Sequence, residues 1–373
     1  MRISLVSKLF IIAVSTIVLN GCATVHYLSQ AANGESDVLK RARPIDDVIA
    51  DPATPLPLAD KLRLAETLRA YAISELKLPD NASYTRYADL GRPYVLWNVV
   101  STPALSLSPK QSCFPIVGCV AYRGYYVEGE ARSWATDEKA HGDDVFMYGV
   151  PAYSTLGWFA DPLLNSTARY DEISLARLIF HELAHQIVYV KGDSAFNEAF
   201  ATSVELEGIE RWLAMRNNPA LTKAYQDGEV RQAAFQAMMQ ATRDQLAVIY
   251  AGHDPDEQKL AEKKAVQAAL LARYQTLKAS WGGFSGYDAW FAPMPNNAHF
   301  ASLATYHALV PAFRELIREK NGDLPAFYAE VKTLAQKNGA ARDKYLAALS
   351  VSAESRKMQL QSSSPAVLTS LLR

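Results

Sequence analysis

The sequence predicts an α+β protein that is predominantly helical, with a small β-sheet in its first half and helices through its second half. Three observations lead to this fold class. Apolar residues recur at helical spacing between Ala59 and Leu76. Short β-branched and aromatic runs, typical of strands, lie between Tyr94 and Val150. Beyond Glu205 the chain returns to long helical patterns that are interrupted by turn residues.

The order of elements follows from these local patterns. The helix at Ala59–Leu76 ends at a Pro-Asp-Asn turn, and three strands and one helix come next. A helical hairpin is expected in the second half, with its turn at residues 252–255. The predicted strands are Tyr94–Val100, Val117–Val127 and Val145–Val150, the helix between them is Glu130–His141, and the hairpin helices are Tyr225–Tyr250 and Asp256–Ala279.

Composition places the chain among ordinary globular proteins. Its 373 residues are 49% hydrophobic and 21% charged, enough for one large domain or two lobes. The formal net charge of −1 gives no reason to expect nucleic acid as a partner.

The N-terminus predicts a signal peptide over residues 1–21. Two basic residues precede an apolar run, Leu9–Leu19, that is too short to span a bilayer. The run ends in Leu-Asn-Gly-Cys, which resembles a lipobox, so Cys22 is the expected lipidation site. A plain signal peptide or an uncleaved anchor is the alternative. Ala23 after the cysteine resembles lipoproteins of the Gram-negative outer membrane, which predicts a lipid-anchored protein on the periplasmic face of the cell envelope.

Three further segments follow the signal peptide. Residues 22–58 are expected to form a lipidated N-terminal segment, residues 59–349 the main domain, and residues 350–373 a Ser-rich flexible tail. With Cys22 carrying lipid, Cys113 and Cys119 remain, and they bracket a turn that contains Pro and Gly. An oxidising periplasm favours a disulfide between these two, and the alternative is a pair of free, small apolar side chains.

The stretch that carries chemistry is His181-Glu182-Leu183-Ala184-His185, an HExxH pattern. Histidines four residues apart lie one turn apart on the same helix face, so both imidazoles can bind one Zn²⁺. Glu182 lies beside them as a candidate general base. A turn at residues 191–193 then ends the helix, and Glu198 in the next helix is the natural third ligand. Three protein ligands leave one zinc position for water.

These residues also carry a resemblance. HELAHQ followed by FNEAFATSVE resembles the zinc site of the aminopeptidase-N-type gluzincins. The resemblance implies a gluzincin-like catalytic core in which His181, His185 and Glu198 bind a single zinc ion and Glu182 activates water. Only twelve residues separate His185 from Glu198, a shorter spacer than in that large family.

The shorter spacer and the rest of the chain resemble a bacterial lipoprotein family named for aminopeptidase activity. This similarity runs from about Gly21 to Phe313 and includes RPIDDVIADP, FPIVGCVAYRGY and GVPAYSTLGWFADPLL. It implies a zinc-dependent aminopeptidase of the cell envelope that acts on peptides.

Other candidate site residues depend on the motif. Thr202 and Glu205 lie on the helix of Glu198, where either could orient a ligand histidine, although a lone helical Glu is also often solvated. Gluzincins need a later Tyr or His to steady the oxyanion, and Tyr306 and His307, with His299, have that placement. Asn297 is a candidate for binding substrate backbone.

By its position before the HExxH motif, the stretch Gly149–Trp158 resembles the substrate-binding edge strand of the aminopeptidase-N group, which implies Tyr153 as a candidate substrate contact. The alternative is a structural strand and loop. The stretch lacks the Glu that holds the substrate amine in that group. An acidic residue elsewhere would be needed for this role, and the sequence offers Glu128, Glu130 and Asp161.

Two other functions stay open at this point. The same zinc chemistry could serve an envelope endopeptidase or a hydrolase of non-peptide substrates, since no amine anchor is visible. The region could also be a structural zinc site in a non-enzymatic lipoprotein. The intact Glu182 argues against the second, because a structural site needs no base.

Overall fold

The computed structural model describes residues 26–114, 118–155, 157–303 and 309–362. It has the predicted α+β fold, with helices predominating, which confirms the fold class. Within these ranges, no helix combines the length and the apolar character that crossing a bilayer requires.

The helices alternate with strands only in the first half of the chain. They are α1 (residues 26–41), α2 (Ile45–Ala50), α3 (Leu56–Ser74), α4 (Glu128–Ala140), α5 (Asn165–Ala168), α6 (Glu172–His185), α7 (Ser194–Arg216), α8 (Pro219–Ala251), α9 (Asp256–Ser280), α10 (Asp288–Phe291), α11 (Asn297–Leu303), α12 (Val310–Glu319), α13 (Leu324–Ala335) and α14 (Gly339–Ser362). The strands are β1 (Arg43–Pro44), β2 (Arg86–Ala88), β3 (Leu96–Thr102), β4 (Ser112–Phe114), β5 (Gly118–Val120), β6 (Arg123–Tyr125), β7 (Asp144–Val150) and β8 (Leu163–Leu164).

The largest core surrounds α3, α6 and α7, with α12, α13 and α14 completing it. Apolar side chains at helical spacing on α6, such as Ile179 and Phe180, are fully buried there. Gly208 lets α7 approach closely, because a Cβ atom at this position would lie 2.6 Å from Leu76 Cδ1 and 2.7 Å from Phe180 Cδ2. The tight contact fixes α7 against α6.

The larger of the two three-stranded sheets is antiparallel, in the order β6-β3-β7. Alternate residues of β3 point to opposite faces, so Trp97 and Val99 pack against α4 while Val100 packs against α11. A second small sheet has the order β1-β2-β8, with an antiparallel and a parallel pair. The strands therefore precede α6 in the chain, as the sequence predicts.

The β4–β5 hairpin carries the two remaining cysteines. Cys113 and Cys119 stand directly opposite each other in its register and are joined by a disulfide. Cys22 lies outside the described residues. The predicted strand Val117–Val127 is divided into β5 and β6, because the chain bends at residues 121–122 between them.

Both ends of the main domain extend further than the sequence predicts. Val38 on α1 and Ala42 just after it pack against strand residues, and α2 contributes to the main core, so residues 26–58 belong to the body. At the other end, α14 runs on to Ser362, where a flexible tail was expected from residue 350. Arg356 on this helix pairs with Glu315 on α12 at 3.1 Å, a contact between distant segments that Ser-rich composition does not reveal.

The predicted helical hairpin is formed by α8 and α9, and it has a core of its own. Phe235 and Leu246 on α8 pack with Leu270 and Tyr274 on α9, together with residues of α10 and α11. The hairpin thus has its own apolar core, while Leu221 and Tyr225 near the start of α8 also pack against the main core.

Substituting Gly208 tests the close approach of α7. We expect Gly208→Ala to lower the free energy of unfolding by about 1–2 kcal/mol, because overpacking against Leu76 and Phe180 outweighs the better helix propensity of alanine. Urea unfolding measures the change. Gly228→Ala on α8 is the matched control: its nearest neighbour atom is 3.9 Å away, so this substitution should raise stability slightly. Equal effects at the two glycines would contradict the packing argument.

Candidate metal centre

Local capping explains why α6 and α7 begin where they do. Asp171 caps α6 by accepting a hydrogen bond from Ser174 N at 2.7 Å, and Asp193 caps α7 by accepting from Phe196 N at 3.1 Å. Asn197 then holds the connecting loop, since its side chain accepts from Val190 N and donates to Val190 O, both at 2.8 Å. This clamp places the next residue, Glu198, over the C-terminal turn of α6.

Three side chains of the two helices converge on one point. His181 Nε2 and His185 Nε2 are 3.1 Å apart. Glu198 Oε2 lies 3.3 Å from the first nitrogen, and Glu198 Oε1 lies 3.7 Å from the second. All of the candidate ligand atoms lie within 4.8 Å of one another, and no second group of three or more such residues occurs in the described part of the chain.

The donor set fits zinc. Two imidazole nitrogens and one carboxylate are a ligand combination found in catalytic zinc sites, where a fourth position stays open. The His181 Nδ1 atom is taken by a carboxylate, which leaves its Nε2 atom to face the shared point. The residues present are therefore the right kind, and close enough, to bind one divalent ion.

A carboxylate lies behind the first histidine. Glu205 Oε2 is 3.1 Å from His181 Nδ1, and Arg177 Nη1 is 3.3 Å from Glu205 Oε1. Arg177 also pairs with Glu229 on α8. Carboxylates in this position fix the ring orientation and tautomer of a ligand histidine. Glu205 is buried and contacts His181, so it is not a solvated helical charge.

The electrostatics of the cluster favour positive charge. Burial lowers the pKa of His181, but hydrogen bonds to Glu198 and Glu205 outweigh it and raise this pKa to about 10. Burial raises the pKa of Glu198, but its hydrogen bonds to both histidines outweigh that and lower it to about 2. The two pKa values shift in opposite directions, and each shift favours the charged form, a protonated imidazole beside an ionised carboxylate.

Glu182 lies between the two histidines in the sequence and is half-buried. Burial raises its pKa above the ordinary range; the positive charges of His181 and His185 oppose this rise, while the negative charges of Glu198 and Asp161 add to it. A carboxylate with a raised pKa is a better proton acceptor near neutral pH. Asp161, on the loop before β8, is thus near enough to Glu182 for its negative charge to affect the pKa of Glu182.

The other predicted site residues lie in different surroundings. Thr202 lies one turn beyond Glu198 on α7 and is partly exposed. The Tyr153 hydroxyl donates to Glu35 on α1, which also accepts from Tyr126 at 3.1 Å. These contacts join α1 to the loop after β7, and they do not place Tyr153 in the metal-binding cluster.

Two late candidates belong to the packing of α11. Asn297 is fully buried, accepting from Tyr250 at 2.8 Å and donating to Ala104 O at 2.9 Å, so its amide is used inside the fold. His299 is also buried, stacked at 3.8 Å on Phe146, and burial lowers its pKa to about 3. Tyr306 and His307 lie outside the described residues.

Some neighbours of the cluster were not found from the sequence. Burial first, then the charges of Tyr148 and Glu198, raise the pKa of Tyr122 to about 12, which places this phenol near the cluster. Arg177 could have been found from its spacing, since it lies one turn before His181 on the same helix. Tyr122 lies in a bend between two strands, and nothing in its local sequence marks it.

The fold and this site define a class of protein: an α+β chain whose two neighbouring helices present an HExxH pair and a glutamate to one point. A family model described as "Putative aminopeptidase" matches residues 26–346, most of the chain, and the chain therefore belongs to this family. Membership supports a peptidase-like hydrolase. The comparison with curated proteins found no match, and the comparison with solved structures found none either.

The contact behind His181 leads to a prediction about metal affinity. We expect Glu205→Gln to weaken zinc binding by about 10–100-fold, because the ring of His181 loses the charged partner that orients it. Competition with a chromophoric chelator measures the affinity. Glu210→Gln on the same helix is the control, since Glu210 pairs with Arg314 and touches no ligand. Equal affinities for the two variants would show that Glu205 does not support the site.

Proposed function

We propose that the protein is a zinc-dependent peptide hydrolase of the cell envelope, and specifically an aminopeptidase. The observation that carries this proposal is the convergence of His181, His185 and Glu198, with ligand atoms within 4.8 Å, next to the carboxylate of Glu182. The aminopeptidase family that includes the chain supports the same reaction class.

In this proposal His181, His185 and Glu198 hold one zinc ion. When bound, zinc supplies a Lewis acid that makes water ionise at neutral pH and polarises a carbonyl group. Glu182 takes the proton from the attacking water and delivers it to the leaving amine. Glu205 keeps His181 in the tautomer whose Nε2 atom is free to bind, and Arg177 neutralises the outer side of Glu205.

The proposal keeps Tyr306 and His307 as candidates from the sequence for the group that steadies the oxyanion. The partly exposed Tyr122 is a further phenol close enough to Glu198 for the carboxylate to raise its pKa.

The substrate in this proposal is a peptide, and the protein is attached to the membrane through a lipid on Cys22. An address in the Gram-negative outer membrane, facing the periplasm, is part of the same proposal and depends on the lipobox.

Substitution of the base and of one ligand tests the reaction. We expect Glu182→Gln to retain zinc and to lose roughly 10²–10⁴-fold in kcat, because the glutamine cannot take up a proton. His185→Ala should lose both zinc and turnover. Metal analysis combined with hydrolysis of aminoacyl 4-nitroanilides measures both properties, before and after dialysis against a chelator.

The control for these variants is Glu210→Gln, which should retain zinc and full turnover. Wild-type turnover by Glu182→Gln would refute the assignment of the base. A zinc-loaded wild-type protein that cleaves neither free-amine nor blocked peptides would leave a structural zinc site as the better reading.

A further inference from the structure

Two loops meet at the C-terminal end of α6, beside the candidate base. The first loop, residues 81–84, is held by Gln186, which accepts from Asn81 Nδ2 at 2.6 Å and donates to Ser83 Oγ at 3.2 Å. The second loop leads to Asp161, whose carbonyl oxygen accepts from Tyr84 N at 2.7 Å. Gln186 directly follows the ligand His185, so both loops border the metal-binding cluster.

Tyr84 is held in an unfavourable state in two respects. Its backbone has φ of +61°, in the left-handed region that bulky residues rarely adopt. Its side chain is only 2% exposed, and its hydroxyl has no hydrogen-bond partner among the described residues. A buried hydroxyl without a partner is costly, whereas phenylalanine would fill the same space without that cost. Strain and an unpaired polar group at one residue are features of ligand-binding sites.

Asp161 is a buried acid without a counter-ion. It is 4% exposed, and its carboxylate accepts from Thr155 N at 2.9 Å and from Thr155 Oγ1 at 2.7 Å. It forms no ion pair with any residue that the structure describes. Buried carboxylates are normally paired with a cation. Asp161 is therefore unusual, because the structure gives its carboxylate no positively charged partner among the described residues.

The phenol and the two carboxylates share one region. Burial raises the pKa of Tyr84 well above its usual range, and the charges of Glu182 and Asp161 raise it further. The charge of Asp161 likewise adds to the raised pKa of Glu182. The unpaired hydroxyl is therefore near both the candidate base and the unpaired acid, and the negative potential of the two carboxylates favours a small cation there.

We infer that Asp161 and Tyr84 bind the terminal ammonium group of the substrate. The inference rests on the proposed aminopeptidase function and specifies how its site would select a free amine. In such a substrate the ammonium is two bonds from the scissile carbonyl carbon, so its binding group must lie beside the base. An ammonium carries three N–H donors, which suits a carboxylate oxygen and a phenol oxygen as acceptors.

Other acids are less suitable for this role. Glu35 already accepts from Tyr126 and Tyr153. Glu128 and Glu130 lie in the first turn of α4, where both are partly exposed and Glu128 pairs with Arg132. A peptide with a blocked or internal amine has no charge to offer Asp161, so binding here would make the enzyme an exopeptidase.

Isosteric substitutions test the inference. With leucine 4-nitroanilide, Asp161→Asn should lose on the order of 100-fold in kcat/KM, mainly through a higher KM, because the ammonium loses its charged partner. Tyr84→Phe should lose about 10-fold through the missing phenol oxygen. With N-acetyl-leucine 4-nitroanilide, neither variant should fall below the wild-type rate, so the preference for the free amine should shrink.

Matched controls separate binding from folding. Tyr328→Phe removes a buried hydroxyl that donates to Leu76 O at 2.8 Å, so it should lower the unfolding temperature and leave amine preference unchanged. Tyr84→Phe removes a hydroxyl without a described partner and should unfold at or above the wild-type temperature. Asp60→Asn, an exposed substitution on α3, should alter neither property.

A binding measurement keeps the inference independent of turnover. Calorimetry with zinc-loaded Glu182→Gln protein should show that leucinamide binds and N-acetyl-leucinamide does not, and that adding Asp161→Asn or Tyr84→Phe weakens leucinamide binding. The inference would be overturned if Asp161→Asn and Tyr84→Phe both kept the wild-type preference for a free amine and the wild-type affinity for leucinamide. If Asp161→Asn fails to fold, Tyr84→Phe alone decides. A wild-type protein that binds leucinamide in this way but hydrolyses no peptide would refute the proposed function and leave the amine site standing.

Discussion

The packing of α7 on α6 is the constraint on which the rest of the site depends. Both histidines belong to α6, so their spacing is set by one turn of helix, but Glu198 reaches them only because the second helix lies close alongside. Gly208 allows this approach, and Asn197 fixes the loop between the helices. Because the contact lies in the largest core, the geometry of the cluster is supported by the same burial that stabilises the fold.

Four acidic side chains surround the contact between α6 and α7. Glu198 faces both histidines, Glu205 lies behind His181, and Glu182 and Asp161 lie on the side of the two loops. Of these four acids, Glu205 also pairs with Arg177, whereas Asp161 pairs with no described cation. The protein thus neutralises the acid that supports a ligand and leaves unneutralised the ones that would face a substrate. Such an uneven distribution is what a site for a cation beside a hydrolytic centre requires.

The sequence predicted those parts of the fold and site that are local. The helices and the helical hairpin follow from residue spacing, and His181, Glu182 and His185 follow from one motif on one helix. Glu205 was left between two interpretations, since its contact with His181 depends on how α6 and α7 face each other. Tyr84 could not be found in this way, because its importance comes from a tertiary setting that no local pattern encodes. For the same reason the sequence did not predict that the N-terminal segment and the end of α14 belong to the folded domain, because both pack against elements that are distant in the chain.

The attachment of α1 has a consequence for where the site can work. Gln30 donates to Gly124 O at 3.2 Å and accepts from Tyr126 N at 3.0 Å, so the first helix is fastened to the sheet beside the cluster. Residue 26, where the described helix begins, is four positions after Cys22. A lipid on that cysteine would therefore hold the folded domain close to the bilayer, because only a short linker separates the two. A substrate would then have to reach the protein close to the membrane surface.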